Sequence, residues 1–265
     1  MKKLLAILVV LATVSASVFA NVELSESYFI TPTGFFNQDL KFSANEKVNG
    51  DKKGYSGSSE GSAEYQSWAG SETRAAFYFG SPCSFLDLGM NLGFSVNWFD
   101  SITIKQKVKN TNTDTVTEDW SYKFNGSGFD LDFLIGPAVR FNFGPRHSVV
   151  INPAFGFGVL SMSDGKISGN ENSKTEIFGF SIDLALDVGY RFWVLNTNGF
   201  HLGIAAGCNF VFPVVAFVAQ DEKIKKNGQW VGSGRTELSP FVGGVKPQIY
   251  LGVALNFGDR SVEKR

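Results

Sequence analysis

Side chains that ligate metals or act as nucleophile partners are scarce in this chain. Its 265 residues hold two histidines, His147 and His201, and two cysteines, Cys83 and Cys208. Two cysteines make no disulfide framework, and no His/Cys cluster has metal-ligand spacing. Cys83 falls in an expected turn and Cys208 well along an expected strand, so no bridge is expected between them. Proline is sparse, at 8 residues, and no apolar run after residue 20 is long enough for a transmembrane helix. Neither sign of charge is in excess, with 24 basic against 25 acidic residues, so no nucleic-acid partner is implied. Gly156-Phe157-Gly158 reads as strand packing and not as a nucleotide fingerprint, and nothing calls for a cofactor.

What is abundant is phenylalanine, 26 residues, and glycine, 29. The first twenty residues stand apart. Lys2 and Lys3 precede the apolar run Leu4–Val14, and Val18-Phe19-Ala20 fits a cleavage site before Asn21. This is the pattern of a secretory signal peptide, and the run is too short to serve well as an anchor. Removing Lys2 and Lys3 leaves 22 basic against 25 acidic residues, a net charge of −3. Three parts follow: a signal peptide over 1–20, one domain over 21–258, and a charged tail over 259–265.

The domain is written in period two. Phe129, Leu131, Phe133, Ile135, Val139, Phe141 and Phe143 alternate with Asp130, Asp132, Gly136, Ala138, Arg140 and Asn142. After Gly144-Pro145-Arg146-His147, Val149, Ile151, Phe155, Phe157 and Val159 alternate with Asn152, Ala154, Gly156 and Gly158. Alternation this long predicts strands. The same pattern predicts strands over 73–79, 86–98, 178–192, 200–212 and 241–257, and a less regular one over 22–36. Residues 37–71, 163–176 and 219–237 read as long loops. Residues 100–128 read as a projecting hairpin, with a bulge at Gly126-Ser127-Gly128.

Three features decide which face meets what. The polar face carries Gly, Ala, Asn, Ser and Asp, the small residues of a crowded interior, and not the Lys and Glu of a watered sheet. The connections alternate short and long, as short periplasmic turns and long outer loops do. Phe77-Tyr78-Phe79, Phe141-Asn142-Phe143, Tyr190-Arg191-Phe192 and Leu255-Asn256-Phe257 each place two outward apolar groups at a short-turn end, an interfacial girdle. The reading is all-β: a transmembrane, antiparallel, up-and-down barrel of eight strands in a bacterial outer membrane, facing lipid and expected to be monomeric.

In architecture the chain resembles the small eight-stranded outer-membrane barrels, the OmpA-barrel, OmpX and OmpW-like group. Tyr250, Gly252, Leu255 and Phe257 match that group's terminal-strand pattern of a polar residue, a glycine and two hydrophobic residues. The resemblance implies periplasmic chaperones and the barrel-assembly machinery as partners, with this strand as the recognition signal. The departure is the tail: eight residues follow Phe257.

The inward face then holds Arg74, Asp87, Asp130, Asp132, Arg140, Asp183, Asp187, Arg191, His201 and Lys246. Charges in a confined lumen must pair or meet water. Asp87 with Arg140 is one expected pair, and Arg191 is expected to face His201 across the 195–199 turn. Two readings of this set are open: an ion network that plugs the barrel, or a solute pathway lined by Asp130, Asp132, Asp183 and Lys246. Lys105, Lys107 and Lys109 share one face of the projecting hairpin, either as a solvated face or as a contact for anionic lipid heads or polyanions. Both histidines fall toward the short-turn end, away from the outer leaflet, so no lipid-modifying enzyme is expected. The expected function is a surface-exposed structural or interaction protein that meets an extracellular ligand through its loops. The alternative is a narrow OmpW-like channel for small solutes.

Overall fold

The computed structural model describes residues 21–48, 51–110, 115–164, 173–226, 229–237 and 241–260. The expected signal peptide, and the tail beyond Arg260, lie outside them. Ten segments follow in order: β1 (Asn21–Val48), β2 (Asp51–Cys83), β3 (Leu86–Asn110), β4 (Thr115–Phe143), β5 (His147–Asp164), β6 (Ser173–Thr197), β7 (Phe200–Lys226), β8 (Gln229–Glu237), β9 (Phe241–Val242) and β10 (Gly244–Phe257). Each of β1 to β7 pairs antiparallel with the next. β8, β9 and β10 succeed one another along the free side of β7 and share one position in the ring. β10 also pairs with β1, from Val22 opposite Phe257 to Phe36 opposite Gly244. The sheet therefore closes on itself as an up-and-down barrel of eight staves.

The two faces are inverted relative to a water-soluble protein. On β3, Leu88, Met90, Leu92, Phe94 and Trp98 are exposed, while Asn91, Ser95 and Asn97 are buried. On β6, Phe178, Phe180, Ile182, Leu184, Leu186 and Val188 are exposed, while Asp183, Asp187 and Arg191 are buried. The belt is edged by exposed Phe79, Phe85, Phe143 and Tyr190 at the short-turn end, and by Tyr28, Trp98 and Phe217 toward the other. Such a belt is stable only against lipid, and in lipid only a closed sheet satisfies every backbone N–H and C=O.

The short turns are tighter than the sequence pattern suggested. β2 continues through Gly80 to Cys83, which is the register partner of Leu86, and both cysteines are free. β6 continues to Thr197, leaving a two-residue turn at Asn198-Gly199, with Gly199 at φ +75° where a side chain would be strained. Gly144, at φ +72°, opens the 144–146 turn. Inside the barrel, a Cβ on Gly156 would lie 1.7 Å from the Phe133 carbonyl oxygen, so only glycine admits the approach of β4 and β5 there.

The expected long loops over 37–71 and 219–237 are corrected: among the described residues they are strand, as are the two ends of 163–176, whose residues 165–172 lie outside the described ones. β1 and β2 pair without interruption from Gly34–Tyr65 to Val48–Asp51, and β7 and β8 pair from Ala219–Glu237 to Lys226–Gln229 with a one-residue slip between Glu222 and Lys223. β5 runs to Asp164 and β6 starts at Ser173. A pattern search needs one apolar face, whereas a hairpin arm in water needs only its backbone ladder. The hairpin over 100–128 is present, and its register slips by one residue between Phe99–Gly128 and Ser101–Asn125. At roughly 3.3 Å per residue, strands of 25 to 33 residues far exceed the roughly 9–11 that cross a bilayer, so their outer parts stand above it as arms.

The orientation generates a test at Leu184, half exposed in the middle of the β6 belt. Leu184→Arg is expected to cost about 2–4 kcal/mol in bilayer unfolding titrations, and Leu184→Val close to nothing. Equal, small effects from both would mean that this face does not meet lipid.

Candidate functional site

The concave side of the sheet carries the candidate site, and every stave but the outermost arms supplies it. Nearest the short turns, Asp87 and Arg140 are register partners on β3 and β4. Arg140 donates to Asp87 Oδ2 through Nε at 3.0 Å and Nη2 at 2.8 Å. Its Nη1 donates to Glu23 Oε2 at 3.1 Å and to Asn256 Oδ1 at 2.7 Å, and its guanidinium sits 4.1 Å above the Tyr78 ring. Arg191 donates to the other Glu23 oxygen at 2.9 Å and to the Tyr250 hydroxyl at 3.2 Å. Tyr250 in turn donates to Asp187 at 2.8 Å, and Arg74 reaches the second Asp187 oxygen at 3.4 Å while also bonding Glu72. Arg140 is fully buried and Glu23 is 3% exposed, so this pairing crosses the barrel away from solvent.

A buried apolar cluster of Leu134, Ala154, Ala185 and Val211 comes next along the strands. Beyond it Lys246 donates to Asp130 Oδ2 at 3.0 Å and also bonds Asp132. Ser95 donates to Asp132 at 3.0 Å and Ser181 to Asp183 at 3.1 Å. Asp183 Oδ1 has no hydrogen-bond partner. At the arm end, Phe99, Ile102, Leu160, Met162 and Ile177 are each buried to within 5% of full, an apolar seal inside the mouth.

Eight of the ten inward residues taken from the sequence stand in these two charge clusters, with Lys246 between Asp130 and Asp132; Asp183 borders the upper cluster and His201 joins neither. His201 is not opposite Arg191, which corrects that expectation. The two-residue turn sets His201 opposite Asn196, to which it is hydrogen-bonded, and a slip between Trp193 and Leu195 sets Arg191 opposite Ala205. Glu23 and Glu72 were missed. Glu23 shares its parity with buried Ser25, Ser27 and Phe29, but a large inward Phe29 obscured the alternation of β1. Glu72 lies one residue before the expected start of its strand.

Tyr250 and Gly252 of the terminal-strand pattern lie on the lumen side: Tyr250 is buried, and a Cβ on Gly252 would strike the Glu26 carbonyl at 2.2 Å. Phe257 packs its ring 5.6 Å from Phe200. Among the three arm lysines, Lys105 is half exposed and lies 3.5 Å from Glu64. Lys107 is in register with Glu60 on one side and Asp119 on the other. The face is therefore mixed in charge. Farther round the crown, Glu176 is bridged by Lys174 at 2.8 Å and bonded by Lys223. Those hydrogen bonds hold its carboxyl below the usual range.

Two outcomes follow. Arg140→Met leaves Asp87 without its guanidinium and Glu23 with Arg191 alone, an expected loss of about 3–5 kcal/mol in denaturant unfolding from micelles, and adding Asp87→Asn should recover part of it. Because the Glu176 pKa is depressed on folding, its contribution is present above the ordinary carboxylate range and fades as pH falls through the folded value. Protection of the Thr175 and Glu222 amides, taken relative to their intrinsic exchange at each pH, should fall on acidification in the wild type and stay flat across that range in Glu176→Gln.

No protein-family model matches this chain, and no curated protein matches it. Solved structures do. It is similar to the outer membrane protease OmpT from Escherichia coli, with 8% identity, TM-score 0.44, and coverage of 89% of this chain and 96% of that one. It is similar to the outer membrane protein OprG from Pseudomonas aeruginosa, with 10% identity, TM-score 0.37, and coverage of 91% and 97%. It is similar to Ail, the attachment invasion locus protein of Yersinia pestis, with 12% identity, TM-score 0.34, and coverage of 89% and 99%. Scores this low leave the assignment to the chain's own geometry. A closed ring, an outward apolar belt and an inward polar face make it an outer-membrane β-barrel.

Proposed function

We propose that this barrel is a closed scaffold whose work is done by its outer arms, as a surface-exposed structural or interaction protein. The observation that carries the reading is the clamp of Arg140 and Arg191 on Glu23. Three charges from β1, β4 and β6 meet across the lumen, each nearly or fully buried, and the apolar seal at the arm end stands in series with them. Ions crossing such a lumen would have to break paired charges in a low-dielectric space, which is costly. The arms, by contrast, carry paired backbone ladders well beyond the length that crosses a bilayer. The signal peptide delivers the chain across the inner membrane in this reading, and Tyr250, Gly252, Leu255 and Phe257 serve as the assembly signal. The mixed charge around Lys105, Lys107 and Lys109 favours a solvated face over a polyanion site.

The upper cluster favours a second reading, a narrow channel. Asp130 and Asp132 share the single ammonium of Lys246 with Asp183 close by, an acidic excess that suits a passing cation better than a plug does. Planar-bilayer recording of the refolded protein separates the two. Baseline current is expected. A steady, voltage-independent conductance that changes with Lys246→Met would replace the scaffold reading by the channel.

A further inference from the structure

Three residues beyond the barrel's last strand do something the charged-tail description does not anticipate. Arg260 is fully buried although it follows the final stave. The chain turns at Gly258, φ +93°, whose N–H donates to the Gly199 carbonyl at 2.8 Å. The Asp259 carbonyl accepts from the Asn21 side chain at 3.0 Å. The Arg260 guanidinium then lies 5.0 Å from the Trp193 ring centroid, donating to the Pro145 carbonyl and, at 3.0 Å, to Asn196 Oδ1. One short segment thus holds the start of β1, the end of β10, the 144–146 turn and the β6–β7 turn.

We infer that Gly258–Arg260 is a closure latch: it seals the periplasmic mouth and pins the seam where β1 meets β10. The segment reaches both sides of the seam: the Asp259 carbonyl accepts from Asn21 on the first strand, while Gly258 bonds Gly199 in the β6–β7 turn and Arg260 bonds Pro145 in the 144–146 turn and Asn196 at the end of β6. The Asn21 bond exists only when the ring is shut, and it fixes the segment that carries Arg260. After closure its charge is held by carbonyl oxygens and an indole face, an arrangement suited to a guanidinium and poorly matched by an ammonium. The latch is also wired to the lumen. Trp193 Nε1 donates to Ser148 Oγ at 2.9 Å, Ser148 to Asn142 Oδ1 at 2.8 Å, and Asn142 to Asp87 Oδ2 at 2.7 Å, so the chain of bonds runs from the tail to Arg140.

Trypsin reads the latch directly, because it cuts after arginine. In the refolded full chain, cleavage at Arg260–Ser261 is expected to be at least about tenfold slower than in the same chain in urea, since attack needs the segment to open. Trp193→Leu removes the stacking face and Asn196→Ala an acceptor. Either should restore rapid cleavage there while circular dichroism still reports a barrel. Cleavage in folded wild type as fast as in urea would overturn the latch. So would unchanged protection in both variants, and if Trp193→Leu does not fold, Asn196→Ala alone decides. The outcome is independent of the scaffold reading: a conducting barrel with a protected Arg260 would sink that reading and leave the latch standing.

Discussion

Backbone hydrogen bonding in hydrocarbon is the constraint on which everything else in this molecule depends. Lipid offers no donor or acceptor, so each N–H and C=O of the belt must find its partner in a neighbouring strand. An open sheet would leave two edges unpaired. Here β10 lies between β7 and β1 over its length, and the twelve-pair ladder of β10 with β7 leaves no bare edge across the belt. Closure fixes the rest. With eight staves the interior is narrow, so it must be filled, and the outside is left to whatever lipid tolerates. The exposed Phe, Leu and Ile of β3 and β6 follow from that partition, as do the inward glycines that let staves approach.

A narrow polar interior then poses its own difficulty, since ions removed from water are costly unless each is matched. The chain answers with arginines that each bridge two partners. Arg140 spans Asp87 and Glu23, Arg191 spans Glu23 and Tyr250, and Arg74 spans Glu72 and Asp187. Guanidinium forks suit this bridging because their donors point in several fixed directions. The one lysine, Lys246, gathers Asp130 and Asp132 as a point charge would. Between the two clusters and above them sit apolar groups, so the lumen is layered and not uniformly wet.

The tail extends the same logic to the short-turn end. A ring closed only by backbone pairing at β1 and β10 can fray where that pairing stops, at Val22 and Phe257. The bonds of Gly258, Asp259 and Arg260 to Gly199, Asn21, Pro145 and Asn196 begin where the ladder ends. They tie side chains and carbonyls from four places in the chain to a segment too short and too polar to pair as a strand.

By itself the sequence determined the strand faces, the inverted polarity and most of the lumen charges, because each is a consequence of period-two alternation. Arg74, Arg140, Asp187 and Lys246 could be placed inward by parity alone, and Asp87 opposite Arg140 by counting from a short turn. Only the tertiary structure decided what depends on register and on closure. A two-residue turn and a slipped residue near Val194 moved His201 away from Arg191. The hairpin over 100–128 was legible, but the stretches 37–71 and 219–237 show no regular apolar alternation in sequence, so their ladders were decided by strand-to-strand hydrogen bonds. Glu23 meets Arg140 and Arg191 across 117 and 168 residues of chain, and Arg260 meets Pro145 across 115. No local period encodes such meetings, because they exist only once the sheet has curled to bring non-neighbouring strands face to face across the lumen.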